Sequence, residues 1–185
     1  PIPPLSRPVT RDGARALFGL PAQGPVVSVF GALAGARSVN EMALAAWGGG
    51  GPAVLHIAGE RDFESLLGRV TRPDYVLLPS TNEFGAALAA ADIAVSRAGG
   101  TVWELAAAGT PAVLVPYPHA TADHQALNAR HFERGGGAVV VPDAEVARVP
   151  ALVAELLASP ERLAGMREAM VRLARPGAAE EIAEE

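Results

Sequence analysis

Short, nearly continuous apolar runs recur along the chain at 26–30, 53–57, 75–78, 93–95, 112–115 and 138–141, rich in valine and alanine. Runs of this length without polar alternation are what strands buried on both faces of a parallel sheet require. Between them, apolar residues return every three or four positions, which predicts helices over 10–18, 38–47, 62–67 and 80–90. A further helix opens directly after Gly99 and Gly100 and stops at Gly109. Residues 123–134 read as helix, ended by glycines 135–137, and the chain closes with helices over 145–157, 161–173 and 178–184. Gly19 and the run 48–51 followed by Pro52 punctuate the pattern.

Strands alternating with helices predict an α/β fold. The expected architecture is a doubly wound, Rossmann-like parallel sheet of about six strands with helices on both faces, because crossovers keep one hand. Such sheets take ligands at the carboxyl ends of their strands. The loops that follow residues 30, 57, 78, 95 and 115 therefore share one edge.

That edge carries the candidate chemistry. Gly99 and Gly100 join a strand to a helix with Glu104 in its first turn. Such a turn offers backbone N–H groups and the positive end of a helix to a phosphate. Glu104 also fits a second role. Thr101 and Glu104 have the spacing of a capping box, as do Ser38 with Glu41 and Ser80 with Glu83. Capping and ribose binding stand as alternatives for Glu104. The two glycines favour a close ligand, since a cap does not need them.

The earlier loop, Gly31 to Arg37, also joins strand to helix, but it lacks the spacing of a dinucleotide fingerprint and its acidic partner. After the fifth strand, Asp123, His124 and Gln125 offer donors and acceptors suited to a polyhydroxylated ligand. Asp123 is equally placed to cap the next helix. His119 and His124 match no standard metal spacing. Arg37, Arg97 and Arg130 either neutralise a diphosphate or pair with helix carboxylates. His56 has no partner evident from sequence, and His131 is expected on a helix surface.

Composition removes several classes. The 185 residues carry a net charge of -5 with no basic stripe, which argues against a nucleic-acid partner. There is no cysteine, so disulfides and cysteine–metal sites are excluded. No cofactor or metal is expected. No apolar run is long enough for a membrane-spanning helix, and there is no secretory leader. A nucleophile elbow and a Walker loop are both missing. The opening Pro-Ile-Pro-Pro reads as a linker end, which predicts a piece of a longer chain.

The stretch SRAGGTVWELAAAGTPAVLVPYPHATADHQALNA at 96–129, VFGALAGARSVNE at 29–41 and the closing GAVVVP at 137–142 resemble one family over nearly the whole chain. It is that of the MurG-type enzymes, the bacterial peptidoglycan N-acetylglucosaminyltransferases of two-domain GT-B architecture. The resemblance implies a single donor-binding domain over residues 1–185, with the acceptor domain on another part of the enzyme. It implies an inverting hexosyltransferase that moves N-acetylglucosamine from UDP-N-acetylglucosamine to a lipid-linked acceptor, lipid I, to give lipid II. The enzyme would sit in the cytoplasm at the inner face of the membrane.

Residue by residue, the resemblance implies that Glu104 binds the ribose and that the uracil lies by Thr81, with Phe84 packed nearby. Gly31, Gly99, Gly100 and Thr101 would face the diphosphate, and Asp123, His124 and Gln125 the sugar. Catalytic residues would lie in the acceptor domain, so this chain alone should bind donor without turnover. Leu33 stands where the family usually carries a serine, which removes a hydrogen bond from the first glycine loop. Three other readings stay open: another UDP-sugar transferase of the same architecture, a donor-binding subunit recruited by a membrane partner, and a non-catalytic nucleotide-binding module.

Overall fold

Six strands pair in parallel in the order β3-β2-β1-β4-β5-β6. They are β1 (Val26–Phe30), β2 (Ala53–Ile57), β3 (Tyr75–Leu78), β4 (Ile93–Ser96), β5 (Ala112–Leu114) and β6 (Ala138–Val140). The computed structural model describes residues 9–31, 36–120 and 123–174. The expected helix at 178–184 and the loop residues 32–35, with Leu33, lie outside the described residues.

Register decides where the loops emerge. Leu78 pairs with Ile57, Ile57 with Phe30, Phe30 with Ser96, Ser96 with Leu114 and Leu114 with Val140. The carboxyl ends thus form one row across the sheet, and every following loop leaves from the same edge.

Helices cover both faces: α1 (Arg11–Leu17), α2 (Arg37–Trp47), α3 (Glu60–Leu67), α4 (Phe84–Ala90), α5 (Thr101–Ala107), α6 (His124–Arg134), α7 (Val149–Leu157) and α8 (Pro160–Leu173). Successive side chains along each strand point to opposite faces. Val27, Val29, Val95 and Val113 pack with Val39 and Met42 of α2 and Val153 and Leu156 of α7. Phe30, Ala94 and Leu114 pack on the other side with Leu105 of α5, Phe132 of α6 and Met170 of α8. Val26 and Leu55 meet Ala14 of α1 and the alanines 86, 87 and 90 of α4. Those small residues let α1 lie close over α4.

The amino edge of the sheet is held by a buried guanidinium. Arg15 donates to the carbonyls of Ala90 at 3.1 Å, Ala22 at 3.0 Å and Gly24 at 3.1 Å, and to Asp92 Oδ2 at 3.0 Å. The same Asp92 oxygen accepts the backbone N–H of Val26 at 2.8 Å. Charge and hydrogen bonds are satisfied together, the condition under which a buried ion pair is tolerated. At the far end of α5, Gly109 has φ +62°, and a Cβ there would lie 3.0 Å from Val171 of α8. Glycine both terminates α5 and admits α8.

Several boundaries differ from expectation. The fourth helix begins at Phe84, not Ser80, because the hydroxyl of Ser80 donates to Glu60 Oε1 at 2.7 Å and residues 80–83 form a loop. The helix expected from 145 is split into a 3-10 segment at Asp143–Arg148, kinked at Glu145, and α7. No helix among the described residues is long and apolar enough to cross a membrane.

Candidate functional site

Strand order reverses between β1 and β4, the switch point at which doubly wound sheets form a ligand crevice. From the paired ends Phe30 and Ser96, the chain leaves β1 toward α2 on one face and β4 toward α5 on the other. Gly31 and the Gly99–Gly100 turn are therefore the two lips of that crevice.

The second lip corrects one expectation. Gly100 occupies the N-cap of α5 with φ -56° and ψ -29°, and no side chain caps the helix. Thr101 is already the first helical residue, so its hydroxyl is one position too late for a cap, which needs an extended backbone. The capping boxes expected at Ser38 and Ser80 fail as well. Ser38 lies inside α2, where it donates to Asp143 Oδ1 at 2.6 Å, and Ser80 stands ahead of α4. Each spacing is present in sequence, but each helix starts elsewhere. Glu104 remains half-buried in the first turn of α5.

Neither glycine of the turn is demanded by the fold. Gly99 and Gly100 do not have positive φ, and a Cβ built on either meets no heavy atom of the described residues within 4 Å beyond its chain neighbours and the helix's own backbone. Val102 and Trp103 donate to the carbonyls of Gly99 at 3.3 Å and Gly100 at 3.1 Å. The amides of Gly100 and Thr101 precede this first bonded turn, where helix N–H groups have no intrahelical acceptor.

The loop after β3 reaches the same crevice. Thr81 Oγ1 accepts the N–H of Glu83 at 3.0 Å. At the end of this loop, Phe84 packs edge-on against Phe30, the last residue of β1, with ring centroids 5.1 Å apart. Phe84 thus stands next to the residue that precedes the first glycine loop, with Thr81 three positions before it in the chain.

The start of α6 closes the edge from the β5 side. Gln125 Oε1 accepts the N–H of Tyr117 at 2.9 Å, and Asn128 Nδ2 donates to Ala98 O at 3.1 Å. The second bond ties α6 to the residue before Gly99. Sequence reasoning does not single out Asn128, although its position three residues after Gln125 puts it on the same helical face. Asp123 holds the N-cap of α6 in a left-handed conformation, φ 57°, without a side-chain capping bond. Its expected place is correct, and the expected capping contact is absent because a cap needs an extended backbone at that position. His124 opens α6 on the exposed surface, and His119 is exposed with its ring 5.6 Å from Tyr117.

The arginines separate. Arg97 is only 8% exposed and bonds to Asp143, Ser38 and the carbonyls of Val115 and Pro116. It is a buried structural cation and not a diphosphate ligand, because its guanidinium is engaged inside the protein. Arg37 and Arg130 are exposed. Desolvation pushes the Asp143 carboxyl up, but the bonds from Ser38 and Arg97 outweigh it and hold it below the ordinary carboxylate range.

His56 has the partners that sequence did not reveal. Its Nδ1 lies 2.8 Å from the Tyr75 hydroxyl and its Nε2 2.9 Å from Asn40 Oδ1. His131 is on the surface of α6 as expected, its ring 5.7 Å from that of Trp103.

A six-stranded parallel sheet with helices on both faces and a strand-order switch between β1 and β4 defines a Rossmann-like α/β domain. Residues 26–182 match the glycosyltransferase family 28 C-terminal domain, and the chain belongs to that family. It is 41% identical over 189 residues to the UDP-N-acetylglucosamine--N-acetylmuramyl-(pentapeptide) pyrophosphoryl-undecaprenol N-acetylglucosamine transferase of Halorhodospira halophila, covering 97% of this chain and 50% of that protein. The enzyme of the same name from Nostoc punctiforme is 39% identical over 173 residues, covering 90% of this chain and 48% of the relative. The chain thus spans about half the length of the curated relatives it matches. Among solved structures, MurG of Acinetobacter baumannii superposes with a TM-score of 0.77 at 24% identity, covering 97% of this chain and 53% of that one. The calicheamicin glycosyltransferase CalG4 gives 0.64 at 26% identity, covering 86% and 41%.

Proposed function

We propose that this chain is the donor-binding half of an inverting transferase that moves N-acetylglucosamine from UDP-N-acetylglucosamine to a lipid-linked muramoyl-pentapeptide acceptor. The observation that carries the reading is the convergence at the β1/β4 switch point. There Gly31 and the Gly99–Gly100 turn follow paired strand ends, Phe84 packs on Phe30, and α6 is tied to Ala98. The relatives' shared activity supports the choice of sugar and acceptor.

In this reading the uracil lies in the loop at Thr81 and Phe84, and Glu104 accepts from the ribose hydroxyls. The diphosphate meets the amides of Gly99, Gly100 and Thr101, beside Gly31. Negative charge builds on the diphosphate as the sugar departs, and amides already aimed at it stabilise that charge without reorganising. Gln125, with His124 and Asp123 near it, orients the sugar. The acceptor, the general base and the contact with the inner membrane surface belong to the partner half of the crevice.

Titration calorimetry of the 185-residue chain with UDP-N-acetylglucosamine tests this, with UDP-glucose, GDP-mannose and NAD as comparisons. Saturable uridine-dependent binding is expected. Glu104→Ala should weaken it by about tenfold or more, the cost of removing a charged hydrogen-bond acceptor. Equal binding of GDP-mannose, or an unchanged affinity in Glu104→Ala, would sink the assignment.

A further inference from the structure

Arg97 follows β4 directly, two residues ahead of Gly99. Its Nη1 donates to Asp143 Oδ1 at 2.6 Å and to the carbonyls of Val115 at 3.1 Å and Pro116 at 3.3 Å. Its Nη2 donates to Ser38 Oγ at 2.9 Å, and Ser38 in turn donates to Asp143 Oδ1 at 2.6 Å. The guanidinium also stands 5.5 Å from the centre of the Tyr117 ring. One planar cation therefore joins the end of β4, the exit from β5, the segment after β6 and the first turn of α2. The last of these follows the first glycine loop, and the first precedes the second.

We propose that Arg97 is a positioning residue that sets the separation of the two lips of the crevice, acting through Ser38 and Asp143. The inference rests on the donor-binding reading, because the spacing it fixes is the one a diphosphate would bridge. The chemistry calls for arginine. A guanidinium presents several donors in a fixed fork and keeps its charge, whereas an ammonium is a single point with flexible reach. Lysine at this position would keep the ion pair with Asp143 and lose simultaneous contact with Ser38 and the β5 carbonyls. Ser38→Ala would leave the arginine–aspartate pair and remove only the link to α2.

The test uses Arg97→Lys and Ser38→Ala in the full chain, with two readouts. The first is amide exchange without ligand, which reports local opening. Exchange should speed by about tenfold in peptides covering 37–42 and 98–104, in both variants and more in Arg97→Lys, while β2 and the Arg15-held amino edge keep their protection. The second is affinity for UDP against uridine, the latter by NMR titration. UDP binding should weaken by about tenfold in Arg97→Lys with uridine changed by less than about twofold, since only the diphosphate spans the lips. Unchanged exchange at the lips, or equal acceleration everywhere, overturns the inference. So does a parallel loss of UDP and uridine, which would mark a general structural role. Wild-type protein that binds UDP, with Arg97→Lys binding it equally well, defeats the positioning role alone. Folded wild type that binds no UDP defeats the donor reading, and this inference falls with it.

Discussion

The side-chain carbonyl of Gln125 accepts the backbone N–H of Tyr117 at 2.9 Å, which fixes the amide's orientation. The partner is a donor, so oxygen must face it and the NH₂ group must face away. In the donor-binding reading the NH₂ group donates to a sugar hydroxyl. Glutamate at this position still accepts from Tyr117 but cannot donate. Gln125→Glu should raise the Kd for UDP-N-acetylglucosamine by about tenfold relative to that for UDP, the worth of one hydrogen bond. Calorimetry with both ligands gives the ratio, and taking the ratio removes any general effect of the added charge. An unchanged ratio would place the sugar elsewhere.

Gly99 and Gly100 separate a folding role from a binding role. Among the described residues, chain neighbours and the helix's own backbone aside, no heavy atom lies within 4 Å of a methyl at either position, and Gly100 has ordinary right-handed helical angles. Alanine there should leave stability unchanged or raise it by about 0.5 kcal/mol through loss of unfolded-chain freedom. If a diphosphate approaches the turn, the same methyl obstructs it. Gly99→Ala and Gly100→Ala should keep their urea midpoints while UDP affinity falls by about tenfold or more. Variants that bind UDP normally would mean the ligand does not touch this turn.

The fold class was legible because each strand is a nearly continuous apolar run ended by glycine or a polar loop, and helices alternate with these runs, whereas the strand order came only from the structure. The crevice followed from the same logic, since Gly31 and Gly99 leave paired strand ends. What stayed hidden depended on contacts between distant segments. Arg97 reads as any arginine beside a glycine turn, and only the fold brings Ser38 and Asp143 to it. Asn40, His56 and Tyr75 come from α2, β2 and β3, and no spacing links them. The capping boxes misled for the opposite reason. Their spacing is local, but the start of α5 is set by the chain's exit from the sheet, and that places Thr101 inside the helix.

Arg15 and Asp92 hold the amino edge, opposite the crevice. Replacing Arg15 with leucine would leave Asp92 and the carbonyls of Ala90, Ala22 and Gly24 short of a buried donor. Arg11 still pairs with Asp92, so the loss falls chiefly on the buried carbonyls, a cost of about 1–3 kcal/mol. The urea midpoint of Arg15→Leu should fall accordingly. The variant that remains folded at low urea should still bind UDP as wild type does, because the lips are anchored by Arg97. A large loss of UDP affinity in folded Arg15→Leu would contradict this division between the two edges.

Acid stability should report His56. Burial pushes its pKa from 6.5 down to about 4. Asn40 Nδ2 donates to Ala58 O at 2.9 Å and to Asp62 Oδ2 at 3.0 Å, so its Oδ1 must accept from His56 Nε2–H. Nδ1 then accepts the Tyr75 hydroxyl, and the ring is neutral with both nitrogens bonded. Between the two pKa values the unfolded chain binds the proton and the native protein does not. Stability is therefore greatest above pH 6.5 and falls as the pH drops toward about 4, with a total loss of about 3 kcal/mol. The carboxyls of Asp62, Asp74, Asp143 and Glu41 are all held below their ordinary values, so their contributions are lost as the pH falls below those ordinary values, 3.8 for the aspartates and 4.5 for Glu41, and only Glu41 overlaps the bottom of this window. Urea unfolding at about pH 7, 5.5 and 4.5 should show the decline in wild type and a much flatter profile in His56→Gln. Glutamine is uncharged and can still donate to Asn40, so the comparison turns on slope and not on absolute stability. Equal slopes in the two proteins would assign the acid sensitivity to other groups.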